Sequence, residues 1–376
     1  MARKFIAPAL ADVSQDIAGN IPLDLVQKWT RGKKSKDLHD EIIGLYVVRG
    51  TVVSSDSAGL SKLSKEKTLI EVMKLVNFPK EVIFDHGSEI DGRAIGLWTA
   101  DNTEMFYPEH IDPKEVIKQM SKVQKKLAAF ELQIGMAIHA GEFIAIGGGL
   151  YGDDADFVEN LAENETQGGQ ILITKATDQV KSFGGAKTKQ PKNKNPKHYP
   201  YPFSKDFYLD IKNNSLANAK IHAKYAQTKT VVLIKVLHPK EEFLLDELTR
   251  WILANSIINR VAETHKVQKI KSNGSLGIFV SDDENQAIEF AKKVKQALKE
   301  DKYLANIGLS KGEVFIFDLG NSNFDIAGEP VNIASKLAED AGAKNTILIE
   351  ESIKTNVKGK AFKYIISHVE ISGIKI

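Results

Sequence analysis

The chain has 376 residues, and its 51 Lys plus Arg nearly cancel its 49 Asp plus Glu, leaving a formal net charge of +2. That length suits two to three domains, and 42% hydrophobic with 27% charged residues is an ordinary globular composition, neither disordered nor fibrous. The charge balance argues against a protein built mainly to bind nucleic acid or an anionic membrane, and the lack of any cysteine excludes disulfides, thiolate metal sites and cysteine nucleophiles.

The opening stretch MARKFIAPALADVSQD turns acidic too early for a signal peptide, and no run approaches the roughly 20 apolar residues of a membrane span. A cytoplasmic protein is expected. Residues 1–40 have no counterpart later in the chain and read as an N-terminal extension. The β-branched run Thr51-Val52-Val53 predicts a buried strand, followed by a helix and a hairpin. Asp112-Pro113 combines an N-cap with proline at the first helical position, and Val116, Met120, Val123 and Leu127 form the apolar stripe of the helix it opens. A strand-turn-strand over 134–147 comes next, then a helix and a strand at 170–173. Five lysines and two prolines with no acid make 186–198 a loop, either a solvated insert or an electrostatic patch for phosphate or nucleic acid.

The same series then runs again. A strand is predicted from Thr230 to Val236, and a helix over 241–264 carrying Leu244, Leu248, Trp251 and Ile258. A second helix carries Ile288, Ala291, Val294 and Leu298, and a strand-turn-strand over 306–317 and a strand at 346–349 complete the copy. Thr51 matches Thr230, Gly141-Glu142 matches Gly312-Glu313, and Gln170 matches Thr346, in order and at a nearly constant separation of about 170–180 residues. Strands and helices mix without the strict alternation of a doubly wound parallel sheet, so two α+β domains are expected. The boundaries read as an extension over 1–40, a first domain over 41–215, a linker over 216–225 and a second domain over 226–376.

Four segments carry a family resemblance. Asp325-Ile326-Ala327-Gly328 followed by Val331-Asn332-Ile333-Ala334-Ser335-Lys336-Leu337 resembles the class III nucleotidyl cyclase signature Asp-x-x-Gly-x-x-Val-Asn-x-Ala-x-Arg-Leu. VQKIKSNGS (267–275) is similar to the family's Lys-Thr-Ile-Gly-Asp strand and turn, with Lys271 at the lysine. SSDSAGLS (54–61) is similar to its Asp-x-x-Gly-Phe-Thr metal motif, and TADNTEMF (99–106) to its Gly-Asp-Gly turn. The sequence departs from the pattern at Lys336, where arginine is usual, at Asn273, at Ala100 and Asn102 beside Asp101, and at Leu60-Ser61.

The resemblance implies two ferredoxin-like, βαββαβ-derived domains paired within one chain as a pseudo-heterodimer. Cyclisation drives the ribose 3′-oxygen onto the α-phosphorus and expels pyrophosphate, and two divalent ions held by carboxylates suit that chemistry. On the family pattern Asp56 and Asp101 are the metal ligands, for two Mg²⁺ or Mn²⁺ ions. Lys271 and Asp325 read adenine as donor and acceptor, where guanine presents the opposite polarity. Asn332 positions the ribose, and Lys336 meets charge on the α-phosphoryl group. Lys358, Lys360 and Lys375 are candidates for the triphosphate. The copies divide these residues: Lys235 and Ser275 replace the two aspartates in the second, and Leu97, Gly149, Asp156 and Asn160 replace the base, ribose and phosphoryl residues in the first. One composite site is therefore expected, as in the tandem animal soluble and transmembrane adenylyl cyclases.

Plainer roles exist for each residue. Asp56 and Asp101 could cap turns, Lys271 could be an edge-strand surface lysine with Lys269 as the alternative register, and Asp325 could cap the helix starting near Glu329. Asn332, among apolar neighbours, calls for a polar partner. Trp251 reads as core and His139 as structural. The expected protein is a monomeric adenylate cyclase using ATP, with no membrane or nucleic-acid partner. The alternative is a catalytically inactive nucleotide-binding or regulatory protein of the same fold.

Overall fold

The computed structural model describes residues 21–58, 60, 67–96, 98, 101–179, 203–212, 218–237, 243–320, 323–341, 344–354, 370–371 and 374–375. The lysine-rich 186–198 stretch, Leu97, Ala100, Ser61, Lys358 and Lys360 fall outside them. The chain divides into two compact units, the first closing at Leu216 and the second opening at Ala217.

In the first unit, α1 (Leu23–Arg31) and α2 (Lys36–Ile43) show that part of the expected extension is helical, with Trp29 fully buried. β1 (Val47–Ala58) is the centre of a sheet with β2 (Arg93–Ala94), β3 (Thr103–Pro108), β4 (Gln133–Ile146) and β5 (Gly149–Tyr151), in the order β2-β3-β1-β4-β5. β6 (Ile171–Ile173) adds to β4 in parallel. One face of the sheet is covered by α3 (Leu69–Ser88) and α4 (Pro113–Leu127). Asp112 caps α4 by accepting from the Lys114 N–H at 2.9 Å, and the predicted stripe of Val116, Met120, Val123 and Leu127 is buried. Each such side chain contributes about 1.5–3 kcal/mol on leaving water. The other face receives α5 (Asp153–Asn160), whose Ala155 and Val158 pack on Val52, Phe106 and Phe143. Two short helices, α6 (Lys175–Gln179) and α7 (Lys205–Lys212), complete the unit.

The second unit starts with α8 (Asn218–Tyr225), which occupies most of the expected linker; Ile221 is fully buried, so this stretch is anchored rather than free. β7 (Ala226–Leu237), β8 (Gln268–Asn273), β9 (Leu276–Ser281), β10 (Leu304–Gly320) and β11 (Asn323–Ala327) form a sheet in the order β11-β10-β7-β9-β8, with β12 (Ile347–Ile349) parallel to β10. Read from its other end, this is the strand order of the first sheet. α9 (Leu244–Glu263) and α10 (Glu284–Glu300) pack on Val232, Ile234 and Val236, while α11 (Glu329–Glu339) covers Val231 and Leu233. Burial on both faces explains why the strand reads as one unbroken apolar run. α12 (Glu351–Lys354) and a small hairpin of β13 (Glu370–Ile371) and β14 (Ile374–Lys375) follow.

Two expectations are corrected. The segments 134–147 and 306–317 contain no turn, because β4 and β10 run straight through. Gly141 pairs with Gly50, and Gly312 with Lys229. A Cβ on Gly141 would strike the Asp154 carboxylate, so this glycine marks close approach within a strand. Trp251 is only half-buried, with its ring against Gly274 in the β8–β9 turn, outside the main apolar cluster.

Candidate active site

Asp56 lies inside β1, opposite Gly135 of β4, so it does not cap a turn. Asp101 sits two residues ahead of β3, and its carboxylate accepts a hydrogen bond from the Ser57 hydroxyl. The Asp56 carboxyl is pushed up to about 6, first by burial, then by the negative charges of Asp101 and Glu163; a hydrogen bond from the Ser57 backbone opposes the rise. Glu163 belongs to a π-helical turn, Leu161–Glu165, that continues α5, and accepts from Asn102 Nδ2 at 3.2 Å. Burial and the neighbouring Glu159 push Glu104 on β3 up to about 8. Glu159 and Asp156 on α5 are also raised, by burial first and by adjacent carboxylates second.

This face thus gathers carboxylates that burial and mutual repulsion disfavour as anions, a condition that a bound cation reverses. Among the described residues no three His, Asp or Glu side chains converge into a closed metal-binding set. Mg²⁺ is commonly held by one or two carboxylates, with water and substrate phosphates completing its shell. The Asp56–Asp101 pair fits that donor chemistry.

In the second unit Lys271 on β8 and Asp325 on β11 belong to opposite ends of the sheet order, yet Lys271 Nζ lies 2.5 Å from Asp325 Oδ1. The sheet therefore curls until its edges converge. Asp325 is 7% exposed and also accepts from the Ile326 N–H at 2.9 Å. It does not cap the following helix; α11 starts instead after Gly328, at φ +146°. A register shift between Lys269 and Lys271 breaks the simple two-residue alternation, and it is Lys271 that meets Asp325. Asn332 and Lys336 are four residues apart on α11, on one helical face. Asn332 is exposed, so the polar partner expected of a buried residue is not required.

The strand registers relate the two units residue by residue. Asp56 faces Gly135 and Lys235 faces Asn306 at corresponding places; Gly149 faces Ile146 as Asp325 faces Phe317. Where Asp56 meets Glu163 as a like charge, Lys235 stands 3.9 Å from Glu339 of α11 as an ion pair. The second unit holds its own cation at this place.

A crystal structure of a class III adenylyl cyclase-like ATP-binding protein from Pseudomonas aeruginosa matches with a TM-score of 0.53 at 12% identity, over 82% of this chain and 85% of that one. The fold is the class III cyclase-like fold. At 12% identity the likeness extends to architecture alone. The catalytic core of a rhodopsin-guanylyl cyclase with converted specificity, in complex with ATPαS, matches over 40% of this chain and 93% of its own, at 22% identity and a TM-score of 0.34. A guanylate cyclase domain from Catenaria anguillulae in complex with GTP covers 40% of this chain and 92% of its own, at 21% identity and a TM-score of 0.34. No protein-family model matches the sequence, and no curated protein matches it significantly.

Within this cyclase-like fold the first unit brings Asp56 and Asp101 together, and the second brings Lys271 to Asp325 and puts Asn332 and Lys336 on one helix. No helix among the described residues is long and apolar enough to cross a membrane. Glu104, Glu159 and Glu163 were not legible as part of the acidic face. The run Asp153, Asp154, Asp156, Glu159, Glu163 was visible in the sequence, but acidic helical faces are usually solvated. His139 is buried in β4, with Nδ1 2.9 Å from Thr174 Oγ1 and Nε2 3.1 Å from the Asp154 carboxylate, and it ties α5 to the sheet.

Proposed function

We propose that the chain is a nucleotidyl cyclase that converts ATP to 3′,5′-cyclic AMP and pyrophosphate. The observation that supports it is the complementary division of side chains. At the register position of Asp56 the second unit has Lys235, and at that of Asp325 the first unit has Gly149. Each unit keeps what the other lacks, which uniform decay of an idle site would not produce. The two halves together supply one full complement of metal, base, ribose and phosphoryl groups.

Asp56 and Asp101 would hold Mg²⁺ or Mn²⁺, which when bound supplies Lewis-acid activation of the 3′-hydroxyl and neutralises the leaving pyrophosphate. Asp325 accepts from the adenine amine and Lys271 donates to the adjacent ring nitrogen. Their 2.5 Å contact puts donor and acceptor side by side, as that base edge requires. Asn332 orients the ribose from the exposed face of α11, and Lys336, one turn on, meets charge on the α-phosphoryl oxygens. Lysine keeps the charge of the usual arginine but loses its planar fork, so turnover is expected to be slow.

The second reading is a nucleotide-binding protein without turnover. It is favoured by Lys336 and by the Pseudomonas aeruginosa neighbour, which is described as cyclase-like and ATP-binding. The test is product analysis with ATP, GTP, CTP and UTP, under Mg²⁺ and Mn²⁺ separately. Cyclic AMP from ATP is expected. ATP binding without cyclic product under either metal selects the second reading, and a preference for GTP overturns the base assignment.

A further inference from the structure

The turn that carries Asp101 is anchored from behind. Three residues before it, Trp98 is 3% exposed, and its indole Nε1 donates to the Glu104 carbonyl at 3.1 Å. The Trp98 carbonyl accepts from Lys80 Nζ at 2.7 Å, and Lys80, on α3, is itself only 3% exposed. The indole is held on α3 by Phe84, edge-on at 6.1 Å, and is stacked by Phe203 at 6.3 Å and 18°. Phe203 in turn meets Tyr208 of α7, whose hydroxyl donates to Glu81 of α3 at 3.1 Å; Lys212 joins the same carboxylate at 2.6 Å. The clamp therefore closes on itself through α3, Trp98 and α7.

The second unit contains the same device in simpler form. α3 and α9 are both 20 residues long, and Lys80 and Asn255 hold the same place in each. Asn255 Nδ2 donates at 3.2 Å to the carbonyl of Gly274, next to Ser275, the counterpart of Asp101. One helix position thus grips the same hairpin turn in both units. In the unit with the carboxylates the grip is a buried lysine, and the tryptophan is stacked by Phe203; in the second unit Trp251 of α9 lies against Gly274 instead.

We infer that Lys80 is a positioning residue for the metal-binding carboxylate Asp101, acting through the Trp98 carbonyl, with Phe203 locking the indole from the opposite side. This rests on the metal reading of Asp56 and Asp101. In sequence Ala100 and Asn102 stand beside Asp101 where the family pattern has glycines, and Ser57 bonds the Asp101 carboxylate from the strand side. Lys80 fixes the backbone at Trp98, three residues earlier, from the helix side. Groups that bond a metal ligand directly weaken binding about 10–100-fold when lost; Lys80, which bonds the backbone three residues before the ligand, is expected at the lower end of that range.

The test is Mn²⁺ titration of the full chain, followed by the loss of the free-ion electron paramagnetic resonance signal, with a thermal melt of each variant. Lys80→Met removes the donor and keeps the stem; about tenfold weaker Mn²⁺ binding is expected, with Lys80→Arg restoring most of it. Phe203→Leu touches neither carboxylate and carries the same expectation of a several-fold loss, so it keeps the test open if Lys80→Met does not fold. A lowered melting temperature with unchanged Mn²⁺ affinity in Lys80→Met and Phe203→Leu would make the clamp purely structural and overturn the inference. Asp101→Ala separates the two failures: unchanged Mn²⁺ affinity there would overturn the metal reading, and the inference with it.

Discussion

Replacing Asp56 by asparagine should stabilise the metal-free protein while abolishing its metal response. The Asp56 carboxyl rises from 3.8 in the unfolded chain to about 6 in the folded one, with burial as the main cause and Asp101 the next. A raised carboxyl pKa means that the folded state holds its proton more tightly than the unfolded state does. Its effect on stability is therefore favourable at low pH and is lost as pH climbs through the folded value. That contribution is complete below about pH 3.8, where both states are protonated, and gone above about 6, where the native protein carries an ionised, half-buried carboxylate. At 1.36 kcal/mol per tenfold change in proton affinity, the rise from 3.8 to about 6 sets an upper bound of about 3 kcal/mol, which solvent screening at this half-exposed site cuts to about 1–2 kcal/mol. Asp56→Asn should thus raise the melting temperature by about 2–6 °C at pH 7.5, and the gain should largely vanish at pH 4. Mn²⁺, binding only the folded protein, should raise the wild-type melting temperature and close the gap, leaving Asp56→Asn unmoved. A variant less stable than wild type at pH 7.5, or equally stabilised at both pH values, would refute the electrostatic account of this face.

Three further outcomes are expected. Glu104→Gln should be nearly silent at pH 4, where folded and unfolded carboxyls are both protonated, and should stabilise the protein increasingly as pH climbs from the unfolded 4.5 to the folded value of about 8, read by thermal melts at about pH 4 and pH 8. Lys271→Met leaves Asp325 buried without its cation and should cost about 1–3 kcal/mol by urea titration, together with the preference for ATP, while Lys269→Ala should leave that preference intact. Mixing full-length Asp56→Ala with full-length Lys271→Ala should restore no cyclic AMP formation if the site assembles within one chain; recovered turnover would mean that it assembles between two.

The duplicated series of strands and helices was legible because both copies repeat the same β-branched runs and helical stripes, and those patterns depend on local periodicity; the order of strands in each sheet was not. The Asp112 cap and the Val116–Leu127 stripe needed nothing beyond helical geometry. Gly141 misled because a glycine inside a strand and one at a turn look alike in sequence; only the approach of the Asp154 carboxylate tells them apart. Asn332 misled in the opposite way, since apolar neighbours along a helix do not say which face they occupy.

By itself, the sequence determined which residue types exist at each motif position, and hence how the acids and base-reading groups divide between the copies. Only the tertiary structure decided which of them meet. Lys271 and Asp325 are 54 residues apart and on opposite ends of a strand order, and they touch because the sheet curls, a property of accumulated twist that no short window contains. The same holds for the acidic face. Glu104, Glu159 and Glu163 join Asp56 and Asp101 only once α5 packs across β1 and β3, and burial then raises the proton affinity of Asp56, Glu104 and Glu159. Lys80 is the clearest case: a lysine in the middle of an apolar helix has no local reason to be buried, and its reason is a carbonyl 18 residues away.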